Sequence, residues 1–424
     1  MVASRRRGTR LVLALAALLG LSGTVAAAPA PAPAPLPILD GVHMFGPSDG
    51  WAIPTLGGEP MLVTRDGGAL WTPAGPSGSN VTAMPDRQGT NPDPSTIGQG
   101  SPGATLAVHA CAGLACRLLW TEAWTRVSGP WPSLDLFQSA DGGRSWVNLH
   151  QRGLPAPPET VSMQQLWEST PFLSFPTPMD GWALWYAGTP DVEDLIFHSA
   201  SGGRQWAKVG LLTMTRGLEG SPPPAGVPAR LFFATPTNGW FVGTSYGFAW
   251  LYATSDGGHT WSNVRLPIPA SYAGYLVTTN VPRFSSPADG VLPVTFTEQV
   301  LDPSAPGGQR TLAAVLLYVT RDGGRTWTPT KPVQASTTSG APLWAVTGTG
   351  QAWVISGSQM IQETVNGGRS WQAVPADTSL ARAALLNVVP PDLGWVAEYR
   401  QNATVLLRTA DGGRHWTTVP AKVG

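Results

Sequence analysis

One short phrase returns seven times along this chain: Ser or Thr, any residue, a turn-forming polar residue, Gly, Gly, two variable residues, Trp. The copies occupy 64–71, 139–146, 199–206, 254–261, 320–327, 364–371 and 409–416. Their third positions are Asp66, Asp141, Ser201, Asp256, Asp322, Asn366 and Asp411. A motif held at fixed spacing from end to end is the mark of a repeat architecture. Gly supplies the positive φ that a tight hairpin turn needs. The Asp carboxylate can accept hydrogen bonds from N–H groups of its own turn, and Ser201 and Asn366 can make a version of the same bond. A solvent-facing turn has no need of a large apolar ring seven times, so the Trp is expected to wedge between neighbouring units.

A second signature precedes most copies. It reads PSDGW at 47–51, PMDGW at 178–182, PTNGW at 236–240 and PDLGW at 391–395, with weakened forms PADGV at 287–291 and GQAW at 350–353. Each is a turn followed by a short apolar run such as Trp240-Phe241-Val242-Gly243. The unit is therefore strand, turn, strand, loop, strand, Asp turn, strand, and four short antiparallel strands make one propeller blade. Successive third positions lie 75, 60, 55, 66, 44 and 45 residues apart. A bare blade takes about 40–50 residues, so the last two spacings are bare and the others carry insertions. The expectation is an all-β chain whose residues 38–424 form a seven-bladed β-propeller of Asp-box repeats, closed without free sheet edges.

The phrase resembles the Asp-box, or bacterial neuraminidase (BNR), repeat. Combined with the upstream turn, as at 234–261, it resembles the photosystem II assembly and stability factor family. More distantly it is similar to sialidases, xyloglucanases and sortilin-type receptors. The resemblance covers nearly all of 40–420 and implies the propeller fold. From the assembly factors it also implies an arginine-bearing face that holds partner proteins, for which Arg230, Arg283, Arg382 and Arg400 are the candidates here. A structural turn shared by enzymes and non-enzymes says little of activity.

The first 28 residues read as a secretion signal: Arg5, Arg6, Arg7 and Arg10, then an apolar stretch from Leu11 to about Leu21, too short for a good membrane span, then Ala26-Ala27-Ala28. The mature chain is expected to start near Ala28 and to work outside the cytoplasm, with an uncleaved anchor as the alternative and the only link to a membrane. Residues 29–37 alternate Ala and Pro, a semi-rigid spacer. Charge is balanced, 26 basic against 26 acidic residues, and charged residues make up 12%. Such a chain lacks the electrostatic footprint of a nucleic-acid binder. Five arginines (Arg144, Arg204, Arg325, Arg369, Arg414) recur three residues after the Asp position, which assigns them to the turns. Cys111 and Cys116 lie between apolar runs, and an exported hairpin closed by a disulfide is the favoured reading. A metal site would want further ligands, and six scattered His supply no set, so neither metal nor cofactor is expected.

Binding residues concentrate on loops, and four stretches exceed a bare blade: 74–103, 154–171, 211–228 and 301–309. A sialidase on this fold needs three convergent arginines, a Tyr–Glu pair and an acid/base Asp. Tyr246, Tyr318, Tyr399, Glu298 and Glu398 are present but form no such constellation by spacing, so no catalytic residue is assigned. The expected function is a monomeric, exported, non-enzymatic scaffold that binds another protein or a cell-surface glycan. A glycoside hydrolase using the central pocket of the propeller is the alternative.

Overall fold

The run Trp240-Phe241-Val242-Gly243 is buried throughout. Its side chains alternate between two faces, and both faces are covered. Trp240 and Val242 pack with Leu292, Leu316 and Tyr318, while Phe241 packs with Trp182, Leu184 and Ile196. A strand sandwiched on both sides reads as a continuous apolar run rather than an alternating one. The computed structural model describes, with side chains, residues 34–55, 61–74, 174–177, 179–184, 196–210, 230–304, 308–335, 342–348, 350–401 and 403–424, and further strand residues by their backbone. Asp141, Cys111, Cys116, residues 1–28, all of 154–171 and nearly all of 74–103 lie outside the described residues.

The chain is all-β, built from short antiparallel sheets that follow the same order. In the first, Leu39–Met44, Gly50–Pro54, Leu62–Thr64 and Leu70–Pro73 pair in sequence. The pattern recurs with Phe172–Ser174, Gly181–Trp185, Asp194–Ser199 and Ala207–Leu212. It recurs again with Val227–Phe233, Gly239–Tyr246, Trp250–Thr254 and Ser262–Asn263. Arg283–Phe284, Gly290–Leu301, Gln309–Thr320 and Thr328–Pro329 make a further set, and 344–375 and 383–419 two more. The backbone of 109–148 makes another. Among the residues described with side chains, the core lies between adjacent sheets. The first sheet meets the last: Leu39, Leu62 and Trp71 pack with Leu385, Trp395 and Leu406, and Asn387 Oδ1 accepts the Met44 N–H at 3.0 Å.

The glycine of the upstream turn is set by close packing. A Cβ on Gly239 would lie 2.6 Å from the Phe233 ring, and one on Gly181 2.0 Å from Phe175. Contacts under about 3 Å are not sustained without movement, so the aromatic of the first strand lies flat over this position only because the residue is Gly.

Three features go beyond the repeat. Gly290–Leu301 and Gln309–Thr320 form one unbroken hairpin in register to Leu301↔Gln309, so the stretch read as a loop insertion is a hairpin tip. Leu276–Thr279, which no signature marked, pairs with both Thr244–Tyr246 and Val294–Thr297 and fuses two units into one ten-stranded sheet. At the end of the chain, Lys422–Val423 runs parallel to Leu70–Trp71 and antiparallel to Ala34–Pro35. Residues Ala34–Pro37, read as part of the spacer, are thus held by the fold: Leu36 is buried and Pro37 O accepts the Thr404 hydroxyl at 2.6 Å.

Candidate functional site

The repeated polar residues are occupied in holding turns. In all six described copies the Ser or Thr hydroxyl accepts the second glycine's N–H, as Thr64 does from Gly68 at 2.9 Å and Thr409 from Gly413 at 3.1 Å. The third residue then accepts N–H groups that follow the glycines. Asp256 takes the Thr260 N–H at 2.9 Å, Ser201 takes Gln205 at 2.8 Å and Asn366 takes Ser370 at 3.0 Å. Both glycines have positive φ, 81° and 99° at Gly67 and Gly68. The first glycine also donates to a carbonyl of the upstream turn, as Gly67 does to Ser48 O at 2.8 Å and Gly257 to Thr237 O at 2.9 Å. The two signatures therefore meet at one end of each sheet whose turns are described. Arg204 and Arg414 donate to the carbonyls of Ser201 and Asp411, which places these arginines in the turns.

These bonds favour ionised carboxylates. The Thr326 hydroxyl and N–H hold Asp322 at about 2. Slight burial opposes ionisation of Asp256, but the Thr260 hydroxyl and N–H and the Thr254 hydroxyl outweigh it and hold that carboxyl also at about 2. Burial likewise works against Asp411, yet the His415 N–H and ring and the Thr409 hydroxyl keep it well below the usual carboxylate range. Asp411 in turn raises the exposed His415 above its ordinary value.

The turn tryptophans play two parts. Trp71, Trp206, Trp261 and Trp416 donate their indole N–H to the second glycine of their own turn at 2.7–3.0 Å. The rings of Trp261 and Trp416 pack against the preceding unit, beside Trp182 and Trp353 respectively. Two of the upstream-turn tryptophans tie adjacent units: Trp182 donates to Gly257 O at 2.9 Å and Trp395 to Gly67 O at 3.1 Å, whereas Trp353 donates to Glu363 of its own unit.

A crevice of about 210 Å³ opens at this turn end, between the 227–263 and 283–329 units. Thr235, Asn238, Trp240, Phe284, Ser286 and Gly323 are among its walls. Two sequence features mark this junction: Asn238 stands where Asp49, Asp180 and Asp289 stand elsewhere, and the PADGV turn at 287–291 carries Val291 in place of Trp.

The four arginines singled out from sequence sit at different heights. Arg283 pairs with Val291, one residue from the turn-end pair Phe284↔Gly290. Arg230 pairs with Val242, three residues before the equivalent Phe233↔Gly239 pair. Arg382 is exposed and precedes the strand Ala383–Val389, and Arg400 pairs with Ala403, so these two lie at the end of their sheet away from the turns. Arg400 binds the buried Glu398 through Nη2 at 2.7 Å and Nε at 3.1 Å. The neighbouring Tyr399 points to the opposite face and donates to Leu39 O.

The same far end carries the hairpin tip and two exposed apolar groups, Leu301 at 84% and Tyr246 at 71%. Glu298 on the hairpin hydrogen-bonds Tyr275, and burial together with that carboxylate raises the phenol, which keeps its proton. Tyr318 is buried, is raised by that burial and donates to Pro267 O at 2.8 Å. Among the described residues no cluster of three or more His, Cys, Asp and Glu is arranged to hold a metal, and no helix is long and apolar enough to cross a membrane.

No protein-family model matches the chain, and no curated protein does. Solved structures do. YCF48 from Cyanidioschyzon merolae is 17% identical with a TM-score of 0.45, over 77% of this chain and 89% of that one. A YCF48 bound to D1 peptide is also 17% identical, with a TM-score of 0.40, over 72% and 79%. An ulvan lyase of polysaccharide lyase family 25, bound to a sulfated glucuronate–rhamnose unit, is 11% identical with a TM-score of 0.47, over 91% and 96%. The chain is thus similar to a photosystem II assembly factor and to a lyase. At such identities and scores, function has to be argued from this chain's own residues.

Proposed function

We propose that residues 34–424 form a seven-bladed propeller of Asp-box repeats that is exported and serves as a non-enzymatic scaffold for another protein. Seven four-strand units support the count, at 39–73, 109–148, 172–212, 227–263, 283–329, 344–375 and 383–419. The contact between the first and last of them supports closure. Export rests on the basic and apolar leader of residues 1–28.

The observation that carries the scaffold reading is the end away from the turns. There the hairpin runs past its unit to Leu301, and Leu301 and Tyr246 stand in solvent. Large apolar groups held out on a rigid element are the mark of a protein-contact surface. Arg382 and Arg400 lie at the corresponding end of the 383–419 unit.

The test is a pull-down from the exported fraction using wild type and a Tyr246→Ser, Leu301→Asp double variant, run beside sialoside and β-glucan hydrolysis assays. A partner retained by wild type and lost by the double variant is the expected result. Turnover that disappears on replacing a single Glu or Asp would overturn it.

A further inference from the structure

The junction between the 227–263 and 283–329 units departs in four ways from the one between the 172–212 and 227–263 units. Trp240 stands where Trp182 and Trp395 stand, beside the glycines of the next turn, yet its indole N–H has no partner although the ring is 3% exposed, a lack it shares with Trp51. The indole of Trp327 is also unpartnered, as is that of Trp371, whereas Trp71, Trp206, Trp261 and Trp416 close on their own second glycine. The aromatic pair that packs across the junction is loosened. Trp182 stacks on Phe233 at 3.9 Å and 12°, whereas Trp240 and Phe284 stand 4.8 Å apart at 31°. Finally, Asp180 and Asp289 accept the turn hydroxyls of Thr177 and Ser286 at 2.8 and 2.9 Å, but the Asn238 side chain makes no such bond. The Thr235 hydroxyl meets Thr237 instead, at 3.3 Å.

Buried donors without partners are rare in native proteins and call for a cause. Of these donors Trp240 lines the 210 Å³ crevice, together with Asn238 and Phe284. Its lining holds no ionisable side chain, which leaves nothing to pair with a carboxylate, phosphate or ammonium group. It offers one carboxamide with donor and acceptor both unspent, several hydroxyls, and aromatic walls from Trp240 and Phe284. We propose that this crevice is a binding site for one uncharged sugar unit of hexose size. A carboxamide can give and take a hydrogen bond from two neighbouring sugar hydroxyls, and the serine and threonine hydroxyls can serve others. The aromatic walls cover the ring's C–H faces. An extended peptide is disfavoured because turns wall the crevice, and turns present no free strand edge for a peptide to pair with. The site lies at the turn end, away from the hairpin tip and Arg400, so it stands or falls separately from the scaffold reading.

The experiment titrates the full chain with glucose, galactose, mannose and N-acetylglucosamine. It follows the Trp240 indole ¹H–¹⁵N resonance, assigned by its loss in Trp240→Phe. At least one sugar is expected to shift that resonance saturably. Asn238→Asp, which installs the residue used in neighbouring units, is expected to weaken binding about tenfold, one hydrogen-bonded pair's worth of affinity. Ala234→Leu, which fills the crevice from its wall, is expected to abolish it. Melting temperatures of both variants establish that they fold, and either one that folds decides. No shift with any of the sugars overturns the proposal, as does undiminished binding in a folded variant. A shift produced only by N-acetylalanine methylamide, a peptide-group probe run alongside, also overturns it.

Discussion

Thr409→Val tests whether the repeated hydroxyl, rather than the glycines alone, holds the turn. The substitution keeps the shape and removes one oxygen. Thr409 is 1% exposed. Its hydroxyl accepts the Gly413 N–H at 3.1 Å and donates to Asp411 Oδ1 at 2.9 Å. Valine strands the buried Gly413 N–H, a cost of about 1–3 kcal/mol, and loses the net value of the second bond, about 0.5–1.5 kcal/mol. The expected loss is therefore about 2–4 kcal/mol, a large part of an ordinary domain's total of about 5–15 kcal/mol. For a fold of this length, with its large unfolding entropy, that loss lowers the melting temperature by only about 2–5 °C. Urea melts are the better assay, with native-state hydrogen exchange at Gly413 to localise the effect. Thr417→Val is the control, since that side chain is exposed and makes one long bond to Arg408 O at 3.3 Å. If Thr409→Val falls within about 0.5 kcal/mol of wild type, the range of a neutral surface change, the reasoning is refuted.

Gly239→Ala should destabilise by about 1–3 kcal/mol, because its Cβ would stand 2.6 Å from the Phe233 ring; an unchanged urea midpoint would count against the packing argument. Arg400→Ala should cost about 1–3 kcal/mol by leaving the buried Glu398 carboxylate unpaired, discounted because the arginine is half exposed, and Glu398→Gln in the same background should recover part of it on thermal melts. Asp256, Asp322 and Asp411 have lowered values in the folded chain, so their contribution is full above about pH 4 and fades as pH falls, through about 2 for Asp256 and Asp322 and lower still for Asp411; an acid titration of stability should show the loss in that window and show less of it in Asp322→Asn. His415 is raised, so its contribution is full below its ordinary value near 6.5 and fades as pH rises past it, a trend that His415→Thr should flatten. Removing residues 420–424 takes away the strand that joins Leu70–Trp71 to Ala34–Pro35, and limited proteolysis should then cut the N-terminal end of the fold sooner.

The turns were legible in the sequence because their bonds are local. Thr64, Asp66, Gly68 and Trp71 close on one another across at most four residues, so spacing alone carries their geometry. The same holds for the substitutes Ser201 and Asn366, which make the predicted bond with other atoms. The fully apolar second strands were legible too, since burial on both faces leaves a continuous run. What only the tertiary structure decided are relations across long separations. Trp395 finds Gly67 at a separation of 328 residues, and nothing local to either names the other. Leu276–Thr279 is a β-branched run whose partners, Thr244–Tyr246 and Val294–Thr297, are chosen by how two units lie side by side. The height of each arginine follows from strand register, which a count of residues between motifs does not reveal. The unpartnered indole of Trp240 is the extreme case, because its sequence surroundings match those of Trp182 and only the relative setting of two sheets withholds its bond.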